Sequence, residues 1–385
     1  MSGAFYRDFE PEDLPVPNQQ VMQLIQYTLR DDAQVDTLTK LISVNPVLTA
    51  QLLGLVNSAF FGIRHKVHTI SDAVIAMGMN SLRNLVLCFA VKEALSDKDI
   101  PGFDIEAFWE DSVRRAVAAK QLGYLINGPI EEAFTSGMLQ DVGLLILFSM
   151  EPDKADRWPL LRSNLPKKRY EMEEELFHAT HDYVGSLLVK KWNLPESYVL
   201  AIAYHHSLFE NNKTGIYGHD KKQSDLAGMM YLSDLCNAVY TSHDKPEALN
   251  ILKKESKKIF SLTMDQVELL LSLLPDQVEE TSNALNISTG LQIDFDIIMG
   301  QANRKLIEDN ISYQELTWQL QNSLKQRDEY AAKLEAELDI AREIQQSLQP
   351  DIEKIHQVGA FNIPAFHLSG DFYDYFARQD GTICF

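Results

Sequence analysis

The chain has 385 residues, of which 45% are hydrophobic and 23% charged, so it has the composition of an ordinary folded protein and the length for two or three domains. Thirty-five Lys and Arg against 55 Asp and Glu leave a formal charge of −20, which argues against nucleic acid and anionic membrane as partners. Three scattered cysteines fit neither a disulfide framework nor a zinc site, and no signal or membrane-spanning segment is evident, so we expect a cytoplasmic protein.

Most of the first 350 residues are predicted to be helical, because apolar residues recur at intervals of three and four. Asn45 is predicted to cap a helix with Pro46 in its first turn, and Gly62 is expected to end that unit. A short helix is predicted from Ser71 to near Gly78, and another from Ser81.

Small residues suited to close helix packing follow in a stripe, namely Phe108, Ser112, Ala116, Ala119 and Leu122. Pro129 and Pro195 stand at expected first-turn positions of later helices. The stretch 211–223 has no apolar period and several turn formers, so it is predicted to be a loop between two helical subdomains.

A seven-residue repeat follows and predicts a left-handed, dimeric coiled coil. One row contains Leu306, Tyr313, Leu320, Arg327, Leu334, Ala341 and Leu348, and its companion contains Asn310, Thr317, Leu324, Ala331, Leu338 and Gln345. The alternative is one long surface helix packed on its own domain. Pro350 is expected to end the helix in either case.

Aromatic and β-branched residues after Pro350 predict short strands, with Gly370 and Asp380-Gly381 as turns. Three short strands cannot close a core by themselves. The tail is therefore interpreted as a fragment of a β-containing domain.

Residues 14 to about 206 resemble the HDOD family, a bacterial signalling branch of the HD metal-dependent phosphohydrolases. The resemblance rests on LPVP (14–17), NPVLTAQLLGLVNSAFFG (45–62), AVIAMGMNSLRNLVL (73–87), AFWEDSVRRA (107–116), AFTSGMLQDVGLLIL (133–147), HATHDYVGSLLVKKWNLP (178–195) and AIAYHHS (201–207). It implies a mainly all-α fold, and we divide the chain into an HDOD domain (1–210), a helical extension (211–300), a coiled-coil linker (301–350) and a truncated C-terminal domain (351–385).

Active HD enzymes, as the resemblance implies, bind one or two divalent metals through several histidines and a shared aspartate. Here Asp141 is retained, but Gln140 occupies the position of the histidine beside it. Asp111 occupies the position of another metal-binding histidine, which comes earlier in the family's sequence. An amide oxygen is a weak ligand for transition metals. We expect a degenerate pocket without catalytic residues, made of Asp111, Gln140, Asp141, His181 and His205 or His206.

Simpler roles for these residues remain open. Asp141, expected on a long buried helix, could accept hydrogen bonds from its neighbours. His205 and His206 end a predicted helix, where an imidazolium interacts favourably with the last carbonyl groups. Trp109 and Trp192 are expected to pack in the core.

The last 45 residues, 341–385, resemble the entry to bacterial PPM-type serine/threonine phosphatases that control stress and sporulation sigma factors. The resemblance rests on AREIQQSLQP followed by IPAFHLSGDFYDYFARQDGTICF. It implies that Asp371 helps to hold a two-metal centre of Mn or Mg, while the role of Asp374 is less defined. The family's other aspartate motifs do not occur before Phe385, so this chain alone is expected to be inactive and to need no cofactor.

These observations predict a regulator in which an HDOD module senses a small molecule or regulatory protein. A homodimeric coiled coil would pass the signal to a phosphatase acting on a phosphoprotein, so the full-length protein is expected to be a serine/threonine phosphatase. Two alternatives are a metal-dependent phosphohydrolase acting at the HD remnant and a non-catalytic scaffold. Metal content and small-molecule binding distinguish them.

Overall fold

The structure is a computed structural model that describes residues 9, 12, 14–30, 32–58, 61–96, 100–206, 221–348 and 376–384. The chain divides into two compact units, Met1–Lys305 and Leu306–Phe385. The fold is mainly all-α, as predicted.

The N-terminal part of the first unit is a layer of five helices. They are α1 (Gln19–Thr28), α2 (Val35–Ser43), α3 (Pro46–Val56), α4 (Ile70–Met77) and α5 (Met79–Ser96). The Asn45 cap is confirmed, since its side chain accepts from Leu48 N at 3.0 Å and Pro46 opens α3.

Three predicted helix boundaries in this layer are wrong. The α3 helix ends at Val56 rather than near Gly62. The α4 helix begins at Ile70 rather than at Ser71, because Thr69 is the N-cap and forms a capping box with Asp72 that satisfies two backbone N–H groups. The next helix starts at Met79, two residues before Ser81.

Seven helices follow and surround the candidate site. They are α6 (Ile105–Ile126), α7 (Ile130–Leu139), α8 (Val142–Met150), α9 (Trp158–Arg162), α10 (Pro166–Phe177), α11 (His181–Lys191) and α12 (Glu196–Tyr204). The stripe of small residues lies on α6, which is buried along most of its length. Gly137 of α7 lies directly against Ala116, where an added Cβ would be only 2.8 Å from the Ala116 Cα. The predicted first-turn positions of Pro129 and Pro195 are wrong by one residue, since both prolines are N-caps directly before α7 and α12.

Three further helices complete the same core: α13 (Lys221–Thr241), α14 (Lys245–Phe260) and α15 (Met264–Ala284). Both α13 and α15 pack on α6. The loop predicted over 211–223 is too long at its C-terminal end, because α13 already begins at Lys221; the rest of it lies outside the described residues. Trp109 and Trp192 are buried, as predicted.

The last helix, α16 (Phe295–Ser347), has 53 residues and is about 80 Å long at 1.5 Å per residue. Two short antiparallel strands, β1 (Phe376–Ala377) and β2 (Ile383–Cys384), form a hairpin around the predicted Asp380-Gly381 turn. Gly381 has a φ of +87°, which explains the choice of glycine there.

One described stretch, Ile130–Met150, is long and apolar enough to cross a membrane by length and composition, and a bent pair formed by α2 and α3 would be a second. Within Ile130–Met150, 89% of the tested window is buried in protein. This stretch contains α7 and α8, so its apolar character is explained by its place in the core.

Candidate functional site

The candidate site is a buried cluster of three histidines at the ends of two helices. His181 begins α11, and His205 and His206 directly follow α12. The Nε2 atom of His181 lies 3.1 Å from Nε2 of His205 and 3.0 Å from Nε2 of His206. All three side chains are at most 3% exposed. We call these three residues the histidine cluster.

His181 is oriented by a carboxylate on the helix before it. Glu173 of α10 lies 2.6 Å from His181 Nδ1 and also accepts from the His181 backbone N–H at 3.0 Å. Burial alone would lower the pKa of His181, but Glu173 and Asp141 raise it to about 9. Burial and the nearby His181 lower the pKa of His205. At neutral pH the cluster therefore contains a cationic His181 and a neutral His205.

A carboxylate and two arginines lie beside the histidines. Asp141 stands at the break between α7 and α8, with Oδ1 at 3.4 Å from His181 Nε2. Its other oxygen, Oδ2, lies 3.2 Å from Arg115 Nη1 and 3.4 Å from Arg169 Nη2. Arg169 also donates to both oxygens of Asp234, at 2.8 and 2.7 Å. We call Arg115, Arg169, Asp141 and Asp234 the arginine–aspartate cluster.

The charges of this cluster compensate one another. Burial disfavours the ionised form of Asp141, but Arg115, His181 and Arg169 hold the pKa of its carboxyl well below the usual value. Burial likewise opposes the charge of Arg169, while Asp234 and Asp141 raise its pKa. Asp141 is therefore held in its ionised form, and both aspartates lie against guanidinium groups in a buried site.

The remaining predicted site residues have other neighbours. Gln140 is buried next to Asp141, and its Oε1 accepts from the Ser233 hydroxyl at 3.1 Å. Asp111 accepts from Arg162 at 2.7 and 2.9 Å and from Arg114 at 2.9 Å. The structure thus brings Asp141, His181, His205 and His206 together, while Asp111 belongs to a second ion-pair network. Asp371 and Asp374 lie outside the described residues.

Four residues of the site were missed by sequence reasoning, namely Arg115, Arg169, Glu173 and Asp234. A signal was present for Asp234, which lies in the apolar run Met229–Val239 in the buried part of α13. A carboxylate in such a run needs a buried positive partner. The sequence did not identify this partner as Arg169, because Arg169 is 65 residues away from Asp234 in sequence.

The second network connects α6 to the segment before α16. Glu110 Oε2 accepts from the Gly290 backbone N–H at 2.8 Å, and Glu110 Oε1 from the Gln292 side chain at 3.1 Å. Arg114 donates to Gln292 at 3.1 Å and to Asn237 at 2.9 Å. Arg114 and Arg115 are adjacent on α6, so one helix turn contacts both the arginine–aspartate cluster and the segment leading into α16.

The metal centre implied by the HD resemblance can be tested against these residues. The ligand atoms of the histidine cluster lie within 4.8 Å of one another, which is close enough to face one ion. However, both buried aspartates already face the guanidinium groups of Arg115 and Arg169. A two-metal hydrolytic centre does not fit, because its ions would have to compete with Arg115 and Arg169 for the same carboxylates.

An all-helical domain with a buried histidine–aspartate pocket defines the HD class of helical domains. The chain belongs to the HDOD family, since the HDOD domain model matches residues 14–208. An uncharacterized protein of Treponema pallidum (strain Nichols) is 25% identical over 199 residues. That match covers 51% of this chain but only 38% of the relative, so the chain spans well under two thirds of the relative's length.

Solved structures share the helical fold. A protein of Shewanella amazonensis SB2B, provisionally named as a phosphohydrolase, is 26% identical with a TM-score of 0.56, covering 71% of this chain and 96% of that chain. A protein of Marinobacter aquaeolei VT8, provisionally named as a signal transduction protein, is 17% identical with a TM-score of 0.52, covering 74% and 62%. A second Shewanella amazonensis SB2B protein, provisionally named as a metal-dependent phosphohydrolase, is 12% identical with a TM-score of 0.51, covering 71% and 92%.

Proposed function

We propose that this chain is a signal-transduction regulator whose HDOD domain is a non-catalytic sensor or interaction module. The observation that carries the proposal is the arginine–aspartate cluster, where Arg115 and Arg169 supply the positive charge that metal ions would supply in a hydrolase. Without a bound ion, no group in the cluster lowers the pKa of a water molecule for attack on a phosphoester. The name of the Marinobacter aquaeolei protein agrees with a signalling role.

Metal content tests this proposal directly. We expect purified protein to contain far less than one equivalent of Mn, Fe or Zn by mass spectrometry, and to hydrolyse neither a chromogenic phosphodiester nor a cyclic dinucleotide. D141N and H181A should leave the metal content unchanged. One equivalent of metal that disappears in both variants, together with turnover, would contradict the proposal.

A metal-dependent phosphohydrolase is the second candidate, favoured by the histidine cluster and by the names of the two Shewanella amazonensis proteins. For this activity His181 would have to lose its proton, since an imidazolium cannot ligate a metal. The guanidinium groups of Arg115 and Arg169, which lie against Asp141, weigh against that candidate.

The proposed route of the signal runs along α6 into α16. Arg115 contacts Asp141, and its neighbour Arg114 contacts Gln292, three residues before α16 begins. A change at the buried clusters that shifts α6 would therefore also move the segment that leads into α16. Such coupling requires an element with two states that both sites bias.

The proposed partner of α16 is a second copy of this chain, in a homodimeric coiled coil. Along the predicted heptad rows the apolar side chains are exposed: Leu306 61%, Tyr313 69%, Leu320 60%, Leu324 42%, Leu334 59% and Leu348 64%. Leu338 is half-buried. A row of exposed leucines at heptad spacing is the face that a coiled-coil partner covers.

The proposed output is a metal-dependent serine phosphatase that acts on a phosphoprotein and uses Mn or Mg. Support comes from the sequence resemblance around Asp371 and from the hairpin of β1 and β2 that follows it.

Deletions in α16 test mechanical coupling in a protein with a complete phosphatase domain. Removing seven residues, 320–326, keeps the heptad phase and should preserve regulated phosphatase output. Removing four residues, 320–323, rotates the rest of the helix by about 40° about its axis, because four residues exceed one α-helical turn of 3.6 residues. This deletion breaks the heptad phase, so phosphatase output should change. Light scattering checks that both variants remain dimers, and equal phosphatase activity in the two would argue against coupling through the coiled coil.

A further inference from the structure

A cleft on the first unit lies away from the histidine cluster and has a volume of about 460 Å³. The C-terminal end of α1, one face of α5, and the N-terminal ends of α7 and α12 form its walls. Its lining includes Arg83, Asn84 and Leu87 from α5, Glu131 from α7, and Pro195 and Tyr198. We call it the Arg83 cleft.

Arg83 brings a positive charge to this cleft and forms no ion pair within 4.0 Å among the described residues, although it acts on Asp32 at longer range. Its Nε and Nη2 atoms are buried and have no hydrogen-bond partner among the described residues. The exposed Asp32 accepts instead from Arg30, at 2.8 and 2.9 Å. A buried guanidinium without an acceptor loses the hydrogen bonds that water would give it. An anionic ligand group would restore them, with the paired geometry that arginine offers to carboxylates and phosphates.

Glu131 brings the opposite charge. It is half-buried and forms no ion pair within 4.0 Å in the part of the chain that the structure describes, whereas the adjacent Glu132 is paired with Lys222 at 2.7 Å. Burial, together with Glu132, raises the pKa of Glu131, although Lys120 acts against that shift. Arg83 and Glu131 line the same cleft without pairing to each other.

The space between these charges has amphipathic walls. The Tyr198 hydroxyl donates to Asn84 Oδ1 at 2.9 Å, which fixes the ring and leaves the Asn84 NH2 group as a donor. Leu87 and Pro195 add apolar surface. The volume falls within the range of small-molecule sites.

We propose that the Arg83 cleft binds a small zwitterion, with its carboxylate or phosphate on Arg83 and its ammonium group on Glu131. An amino acid with an apolar side chain has this chemistry, and so does a phosphorylated amino alcohol. A polyanion such as a nucleoside triphosphate does not match, because Glu131 lies on the wall of the cleft and repels additional negative charge.

Two helices connect the Arg83 cleft with the histidine cluster and the arginine–aspartate cluster, so a ligand in the cleft could shift both clusters. The α7 helix has Glu131 in its first turn and Gln140 as its C-cap, and α12 has Pro195 as its N-cap and His205 as its C-cap. Both helices therefore extend from the cleft to the candidate site. Binding in the cleft is nevertheless independent of the proposed signalling function, since it requires neither the dimer nor a phosphatase.

Thermal shift of the full chain, with each L-amino acid and with O-phosphoethanolamine, provides the first test. At least one of these probes should raise Tm, because a ligand that binds only the folded state stabilises it. Calorimetry then compares that probe with two analogues, one without the anionic group and one without the amine. Each analogue should bind at least tenfold more weakly, as should R83Q and E131Q with the intact probe. Stabilisation by an amino acid would indicate that Arg83 binds a carboxylate, and stabilisation by O-phosphoethanolamine would indicate that it binds a phosphate.

Two further variants test whether the probe binds in the Arg83 cleft itself. S197W fills the cleft from its rim without changing a charge and should abolish binding. R157Q removes an exposed arginine outside the cleft and should bind like the unmodified chain. The proposal is overturned if no probe raises Tm, if a one-charge analogue binds as tightly as the zwitterion, or if S197W still binds.

Discussion

Replacing Gly143 with alanine is expected to lower the free energy of unfolding by about 3 kcal/mol or more. A Cβ at this position would lie 2.1 Å from the carbonyl oxygen of His181 and 2.8 Å from the backbone nitrogen of Gly185. Both contacts are with backbone atoms, so no side chain can turn aside to relieve them. The α8 and α11 helices would have to separate, and this would displace His181 from its neighbours.

Chemical denaturation monitored by circular dichroism measures this effect, with G54A as the matched control. Gly54 also lies inside a helix, but its added Cβ would meet only the Ala284 carbonyl oxygen, at an ordinary 3.8 Å. Alanine is favoured over glycine in a helix by roughly 0.5–1 kcal/mol, so G54A should be neutral or slightly stabilising. A G143A variant as stable as G54A would show that α8 and α11 do not approach each other this closely.

The helical architecture could be predicted from the sequence because local signals determine most of it. Asn45 followed by Pro46 is such a signal, and α3 begins there. The start of α4 was placed wrongly at Ser71, because Thr69, two residues earlier, already caps the helix together with Asp72. Competing cap residues within one turn cannot be ranked without their hydrogen bonds.

Packing over long sequence distances could not be predicted. The stretch around Asp141 was interpreted as one long buried helix, yet the structure breaks it between α7 and α8. No proline marks this break. After the break, Gly143 lies in close contact with the α11 backbone, and a contact of this kind leaves no periodic pattern in the sequence.

The site shows the same limit. Asp141, His181, His205 and His206 were identified from motifs, and the structure brings them together. The arginines that set the charge of the site were missed. Local periodicity places Arg115 and Arg169 on helices, but it does not say that both face Asp141.

Replacing Arg169 with alanine is expected to lower the free energy of unfolding by roughly 3–5 kcal/mol, the usual cost of removing one partner of a buried ion pair. Asp234 would lose the bonds of 2.8 and 2.7 Å to its two oxygens, and Asp141 and Glu173 would lose a nearby positive charge. These carboxylates are at most 1% exposed, so water cannot replace the guanidinium without opening the core.

The neighbouring Lys168 offers a matched control on the same helix. Its side chain is 56% exposed and pairs with Glu171 at 3.5 Å, so K168A should change stability by less than about 1 kcal/mol. The double variant R169L/D234L removes both charges together and should recover part of the loss, because no unpaired ion is left buried. Equal stability of R169A and K168A in urea denaturation would mean that Asp234 has another source of positive charge, and the assignment of Arg169 as the substitute for a metal would then be wrong.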